Sequence, residues 1–308
     1  MTPAAAARAG HDDAARLMRL ATWASVCVAF TLIAAKVGAL WLTGAVSMLS
    51  SLVDSMLDAG ASIINLLAVR HALQPADREH RFGHGKAEAI GSLGQAAFIA
   101  GSAAFVLFQA ADRLLHPRPV DETAAGVAVM VFSIALTGAL VLLQRHVMRR
   151  TGSLAVTADS LHYVSDLFSN LAVIAALLLA GSLGWIRADP VLAGLISLYL
   201  LWGAIQIFHA ARDQLMDREL SDDRRAQIRA IATRHPEVLA MHDLRTRSSG
   251  LHTFVQFHLE LDPEMSLRRA HEISDIVELE VQEAFPGAEV IIHQDPHGVE
   301  EARAVFRG

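Results

Sequence analysis

The chain has 308 residues, 53% of them hydrophobic and 19% charged, with a net charge of -6 and a mean hydropathy of +0.36. These values place it among membrane proteins, and a pI of about 6.2 leaves no basic face for nucleic acid. The single Cys27 excludes an intramolecular disulfide.

A membrane span needs roughly 20 mainly apolar residues. By that measure six spans are expected, near 20–42, 46–69, 87–111, 124–146, 154–180 and 188–210. Residues 1–19 read as a cytoplasmic N-terminal tail, with Arg8, Arg16 and Arg19 but no small-residue cleavage site. The first apolar run is therefore a retained span rather than a secretory signal. Thr43-Gly44 marks a tight turn, Pro117 and Pro119 break the chain after the third span, and Gly181 to Asp189 separate the last two. Arg70, Arg78, Arg81, Lys86, Arg145, Arg149 and Arg150 share the side of the N-terminal arginines, against Arg113, Arg118 and Arg187 opposite. That asymmetry predicts both termini in the cytoplasm; the expected location is the inner (plasma) membrane.

The second span carries Asp54 and Asp58, four residues apart and so on one helix face. Ionisable groups in hydrocarbon are costly and line bundle interiors or water-filled paths. A partner exists: Thr151 to Asp166 laid on Thr43 to Asp58 without gaps sets His162 against Asp54 and Asp166 against Asp58. The two spans run oppositely, as in transporters built from inverted repeats. Asp54 and His162 each lie roughly 8 to 10 residues inside their helices, about 12–15 Å deep, near the middle of a ~30 Å hydrocarbon core. Together the four side chains offer one divalent cation the mixed N/O ligation that suits Zn²⁺. Asp159, one turn before His162, reads either as an acceptor behind that ligand or as an interfacial residue, and Lys36 as snorkelling or paired with a carboxylate.

The loop after the second span holds Asp77, His80 and His84, a D-x2-H-x3-H spacing that offers three ligands or an ordinary solvated turn. After about Asp217 the composition becomes that of a soluble domain. A helix from Ser221 to about His235, strands over 238–247 and 251–261 joined at Ser249-Gly250, a helix from Ser266 to about Phe285 and a third strand over 288–293 are expected. In the second strand Thr253, Val255, Phe257 and Leu259 face one way, and Phe254, Gln256, His258 and Glu260 the other. That order predicts a small two-layer α+β domain with one sheet face open. His242, His258, His271, His293 and Asp295 come from elements able to converge at one sheet edge or across a dimer.

The D-x3-D and H-x3-D pair, FGHGKAE at 82–88, HDLRTR at 242–247 and IIHQDP at 291–296 resemble the cation diffusion facilitator family, in its bacterial zinc and ferrous-iron efflux branch. The resemblance runs from about Leu20 to Pro296. It implies an α-helical membrane protein with six transmembrane helices over 20–212, a cytoplasmic ferredoxin-like domain over 213–296 and a C-terminal tail over 297–308. It also implies a transport site at Asp54, Asp58, His162 and Asp166, a loop site at Asp77, His80 and His84, and a binuclear site at His242, His258, His271, His293 and Asp295, with Gln294 nearby. Lys86 and Asp217 match a charge pair that in the family holds a homodimer together; His297 matches no usual ligand.

The expected function is proton-coupled efflux of Zn²⁺, also Cd²⁺ and Fe²⁺, across a lipid bilayer; it is not an enzyme. No G-x4-GK[ST] loop is present for nucleotide, nor an H-E-x-x-H for hydrolysis. The rival readings are a passive cation channel and a membrane metal sensor. A four-ligand cage holds its ion too tightly for fast conduction, and a sensor leaves the intramembrane charges unexplained.

Overall fold

The computed structural model describes residues 3–43, 46–117, 124–185 and 187–299. The expected turn residue Gly44, Arg118, Pro119 and most of the C-terminal tail lie outside the described residues. By Cα proximity the chain forms two compact units, Ala14–Arg212 and Met1–Asp13 with Asp213–Gly308.

The first unit is helical, built from α1 Pro3–Thr43 from Ala14 on, α2 Val46–Ala72, α3 Lys86–Leu115, α4 Ala124–Thr151, α5 Leu154–Leu183 and α6 Ala188–Leu215 as far as Arg212. Among the described residues six helices are long and apolar enough to cross a membrane. Of the stretch expected as an N-terminal tail, residues 3–19 are helical and continuous with the first span in α1. Its alanine-rich opening favours helix, and the lone Gly10 does not break it. Large apolar side chains such as Trp41, Phe108 and Trp202 stay exposed around the bundle, as lipid-facing residues must.

Inside, small residues bring the helices together. Ala96, Ala158 and Ile207 pack where α3, α5 and α6 meet, and Leu140, Val141, Tyr163 and Val164 join α4 to α5. Without a hydrophobic drive between helices in lipid, such close packing and interhelical hydrogen bonds supply the association. Tyr163 is one such bond: its hydroxyl donates to the Ser25 carbonyl at 2.9 Å and lies 2.8 Å from Ser62 Oγ, linking α5 to α1 and α2.

The second unit continues with α7 Asp222–Ala232, β1 Ala240–Ser249, β2 His252–Leu261, α8 Leu267–Ala284 and β3 Ala288–Pro296. The sheet order is β1-β2-β3, with β1 antiparallel and β3 parallel to β2. Gly250, at φ 58, makes the hairpin turn. The expected alternation holds: Val255, Phe257 and Leu259 bury against Ile228 of α7 and Ile273, Val277 and Val281 of α8. Ser266 caps α8 by accepting from the Arg269 N–H. This is the two-layer, ferredoxin-like arrangement, with helices on one sheet face and His258 on the other.

Candidate metal centres

Inside the bundle, Asp58, His162 and Asp166 each offer a ligand atom within 4.8 Å of the others. His162 Nε2 lies 3.2 Å from Asp58 Oδ1 and 4.0 Å from Asp166 Oδ2. No contact of this buried nitrogen, the one to Asp58 included, qualifies as a well-formed hydrogen bond. A buried acceptor or donor left unmatched is costly, and a nitrogen facing two carboxylate oxygens fits a divalent cation. Phe98 packs edge-on to the imidazole at 6.0 Å and Tyr163 at 5.5 Å. Asp54 stands apart: it is exposed and outside the cluster. Crossing helices approach closely over little more than one turn, so sharing a face with Asp58 does not bring Asp54 within reach. Lys36 turns to α2, donating to the Ser51 carbonyl at 3.0 Å and Ser55 Oγ at 2.6 Å.

Asp159 is fully buried and points to other helices. It accepts from Ser25 Oγ of α1 at 2.5 Å, Gln95 Nε2 of α3 at 3.2 Å and Gln144 Nε2 of α4 at 2.8 Å. It fixes α5 among its neighbours rather than serving as a hydrogen-bond acceptor for His162. Glu88, near the start of α3, was not singled out from sequence. Its buried Oε1 accepts from Ser153 Oγ at 2.5 Å and the Ala155 N–H at 3.1 Å, placing a carboxylate on the first turn of α5. Ser153 in turn caps Val156. An anion at a helix N-terminus meets unpaired N–H groups and the positive end of the helix dipole. Gln95 and Gln144, each an amide within an apolar run, carried a readable signal; Glu88 in the loop-like FGHGKAE did not.

The loop between α2 and α3 gathers Asp77, His80 and His84 within 4.8 Å. His84 Nε2 is 3.3 Å from Asp77 Oδ2 and His80 Nδ1 is 3.5 Å from Asp77 Oδ1. The His80 N–H donates to Asp77 at 2.6 Å and holds its carboxyl below the usual carboxylate range, with the Glu79 N–H at 2.9 Å adding to this. Asp77 is thus preset in the ionised form that ligation needs.

On the open face of the C-terminal sheet, register lines up His242 with His258 and His258 with His293. Asp295 joins all three: its Oδ2 is 2.8 Å from His258 Nδ1 and 3.4 Å from His242 Nε2, and its Oδ1 is 3.1 Å from His293 Nε2. Glu260 Oε1 stands 3.3 Å from His242 Nε2, and its Oε2 accepts or shares a proton with His297 Nδ1 at 2.8 Å. His271 is not brought in. It sits on α8, across the sheet from this row, with Nδ1 3.6 Å from Asp275, and lines a separate hollow of about 430 Å³ with Gln294. Asp217, in the left-handed region at φ 55, lies 3.5 Å from Arg247. Lys86 opens α3.

Carboxylates and imidazoles grouped within apolar helices mark ion pathways, which puts the protein in the class of multi-pass membrane transporters for cations. Residues 22–216 match the cation efflux transmembrane domain and residues 220–297 the cation efflux protein cytoplasmic domain. The chain is 51% identical to the cation-efflux pump FieF of Shewanella oneidensis over 283 residues, 92% of this chain and 95% of that protein. It is 46% identical to FieF of Klebsiella pneumoniae and 45% to that of Escherichia fergusonii, each over 284 residues, 92% of this chain and 94% of those proteins. The chain belongs to the cation efflux family. It is a metal cation efflux transporter, of a family that moves ions rather than catalysing a reaction.

Proposed function

We propose that the protein exports Zn²⁺, with Cd²⁺ and Fe²⁺ as further substrates, from the cytoplasm in exchange for protons, working as a homodimer in the inner membrane with both termini cytoplasmic. The observation that carries this reading is the buried nitrogen of His162 set between Asp58 and Asp166, with no hydrogen bond of its own.

A cation arriving at this cluster loses water and gains two carboxylate oxygens and one imidazole nitrogen; Asp54, one turn away on the same helix, completes four ligands when α2 moves. Mixed nitrogen and oxygen donors suit Zn²⁺ and Cd²⁺, and bind Fe²⁺ or Mn²⁺ less tightly by the general affinity order. Metal and proton compete for the same atoms, because a ligating His is neutral and a ligating carboxylate ionised. Exposure to the more acidic side therefore favours proton uptake and metal release, and the protonated empty site returns. The loop trio and the His242–His258–Asp295 cluster supply metal-binding groups outside the membrane spans, where occupancy regulates the dimer. There, Glu260 and Asp295 bring negative charge that a cation offsets.

The test is Zn²⁺ flux into proteoliposomes, with and without an imposed pH gradient, for the parent and Asp58→Ala. Gradient-driven flux lost in the variant supports the reading. Flux that ignores the pH gradient would identify a channel, and metal binding without any flux a sensor.

A further inference from the structure

The loop trio fills three of the four positions of a tetrahedral cation. Beside it stands His71, in the last turn of α2, its ring edge-on to His84 with centroids 4.7 Å apart and planes at 63°. His80 meets the same ring at 4.6 Å. His84 is the buried member, with Nε2 toward Asp77 and Nδ1 shut away from solvent without a hydrogen-bond partner. The helix ends just beyond His71: Leu73 N–H donates to the Val69 carbonyl and Gln74 N–H to the His71 carbonyl, each at 3.0 Å. His71 comes from the helix and the trio from the loop; its ring stands beside the 4.8 Å grouping rather than within it, and a turn of this exposed side chain brings a nitrogen in.

We infer that His71 is a fourth ligand of the loop site, closing the Asp77–His80–His84 cluster around a Zn²⁺-type cation and pinning the end of α2 to the loop that leads into α3. This rests on the loop being a metal site at all. Closure has a consequence: structural zinc sites have all four positions filled by protein, whereas catalytic ones keep one open. The loop ion is then a fixed clamp on α2, the helix that carries Asp58, and not a station along the transport path.

The experiment uses the full-length protein in detergent, with Asp166→Ala and His258→Ala silencing the other two clusters. Zn²⁺ is titrated against a competing chelator, and X-ray absorption at the zinc edge counts the imidazoles bound. Removing His71 (His71→Ala) is expected to weaken Zn²⁺ at least tenfold, and His71→Asp, which returns an oxygen ligand, to recover part of that. The imidazole count is expected to be three before the change and two after it. An affinity within twofold of the background for His71→Ala, alongside a clear loss for His84→Ala, overturns the fourth ligand and leaves the trio as a site. No loss in either variant removes the loop site itself. Should His71→Ala fail to fold, the count in the background protein decides alone: two imidazoles refute the proposal.

Discussion

Gly91 on α3 faces Ala68 on α2, and a Cβ added there would lie 2.5 Å from the Ala68 Cβ. Methyl carbons in contact rest about 3.5–4.0 Å apart, so Gly91→Ala forces the two helices apart by roughly 1–1.5 Å. Neither methyl has a rotamer with which to escape, and overpacking of this kind costs about 1–3 kcal/mol. The displacement falls on α2, whose Asp58 Oδ1 is 3.2 Å from His162 Nε2. A shift of even part of that size along α2 pulls the ligand oxygen out of reach of a shared ion. Gly91→Ala is therefore expected to lower the melting temperature in detergent and weaken Zn²⁺ binding at the bundle cluster together. The paired change Ala68→Gly/Gly91→Ala moves the methyl to the opposite helix and removes the clash, so it should regain most of both losses. Parent-like melting and binding in Gly91→Ala, or a double variant no better than the single, would refute the argument.

Glu88→Gln keeps the shape of the α5 cap but removes its charge, while Glu88→Ala also strands the Ser153 hydroxyl and Ala155 N–H. The expected melting order is parent, Gln, Ala, with about 1–3 kcal/mol for the full loss; equal melting for all three would mean the cap carries no stability. His162→Asp replaces the nitrogen donor by oxygen, and vesicle uptake should then discriminate less against Mn²⁺; unchanged metal competition counts against His162 as the selector. In the C-terminal domain Arg269 forks onto Glu237, with Nε 3.2 Å from Oε2 and Nη2 2.5 Å from Oε1, and these hydrogen bonds hold the Glu237 carboxyl below its usual range. A lowered folded-state value stabilises above the unfolded value of about 4.3 and is lost as pH falls through the folded one. The melting difference between parent and Glu237→Gln should thus be present near neutrality and vanish in acid; a constant difference rules the pair out as its source.

Hydropathy alone placed the six spans, because a bilayer demands length and apolarity from each segment independently of its neighbours. The C-terminal sheet was legible for a similar reason: the period of two in Thr253 to Glu260 sorts core from open face, and register then sets His242, His258 and His293 in a row. What stayed hidden depends on partners far along the chain. Helix periodicity puts Asp54 with Asp58 but says nothing of where α5 crosses. His271 fits the spacing of an amphipathic helix, yet that helix covers the sheet face opposite the histidine row. Glu88 and His71 gain their meaning from Ser153 and His84, contacts that no local pattern announces.

The position of Asp54 separates two ideas of how the cation is held. If all four side chains formed one rigid cage, Asp54 and Asp58 would contribute alike, and either change to Ala would cost similar affinity. In this conformation Asp58 faces His162 while Asp54 is exposed and outside the cluster. On the function proposed above, three ligands set the affinity of this state, and the fourth joins in a state in which α2 has turned. A ligand engaged in one state only shifts the balance between states by its differential affinity, which governs turnover more than equilibrium binding. Asp58→Ala should accordingly weaken Zn²⁺ in detergent by tenfold or more. Asp54→Ala should weaken it severalfold at most, yet abolish flux in proteoliposomes as completely as Asp58→Ala. Chelator competition gives the first quantity and pH-driven uptake the second. Equal loss of affinity in the two variants would mean a cage already closed around its ion, and full flux in Asp54→Ala would remove that carboxylate from the cycle.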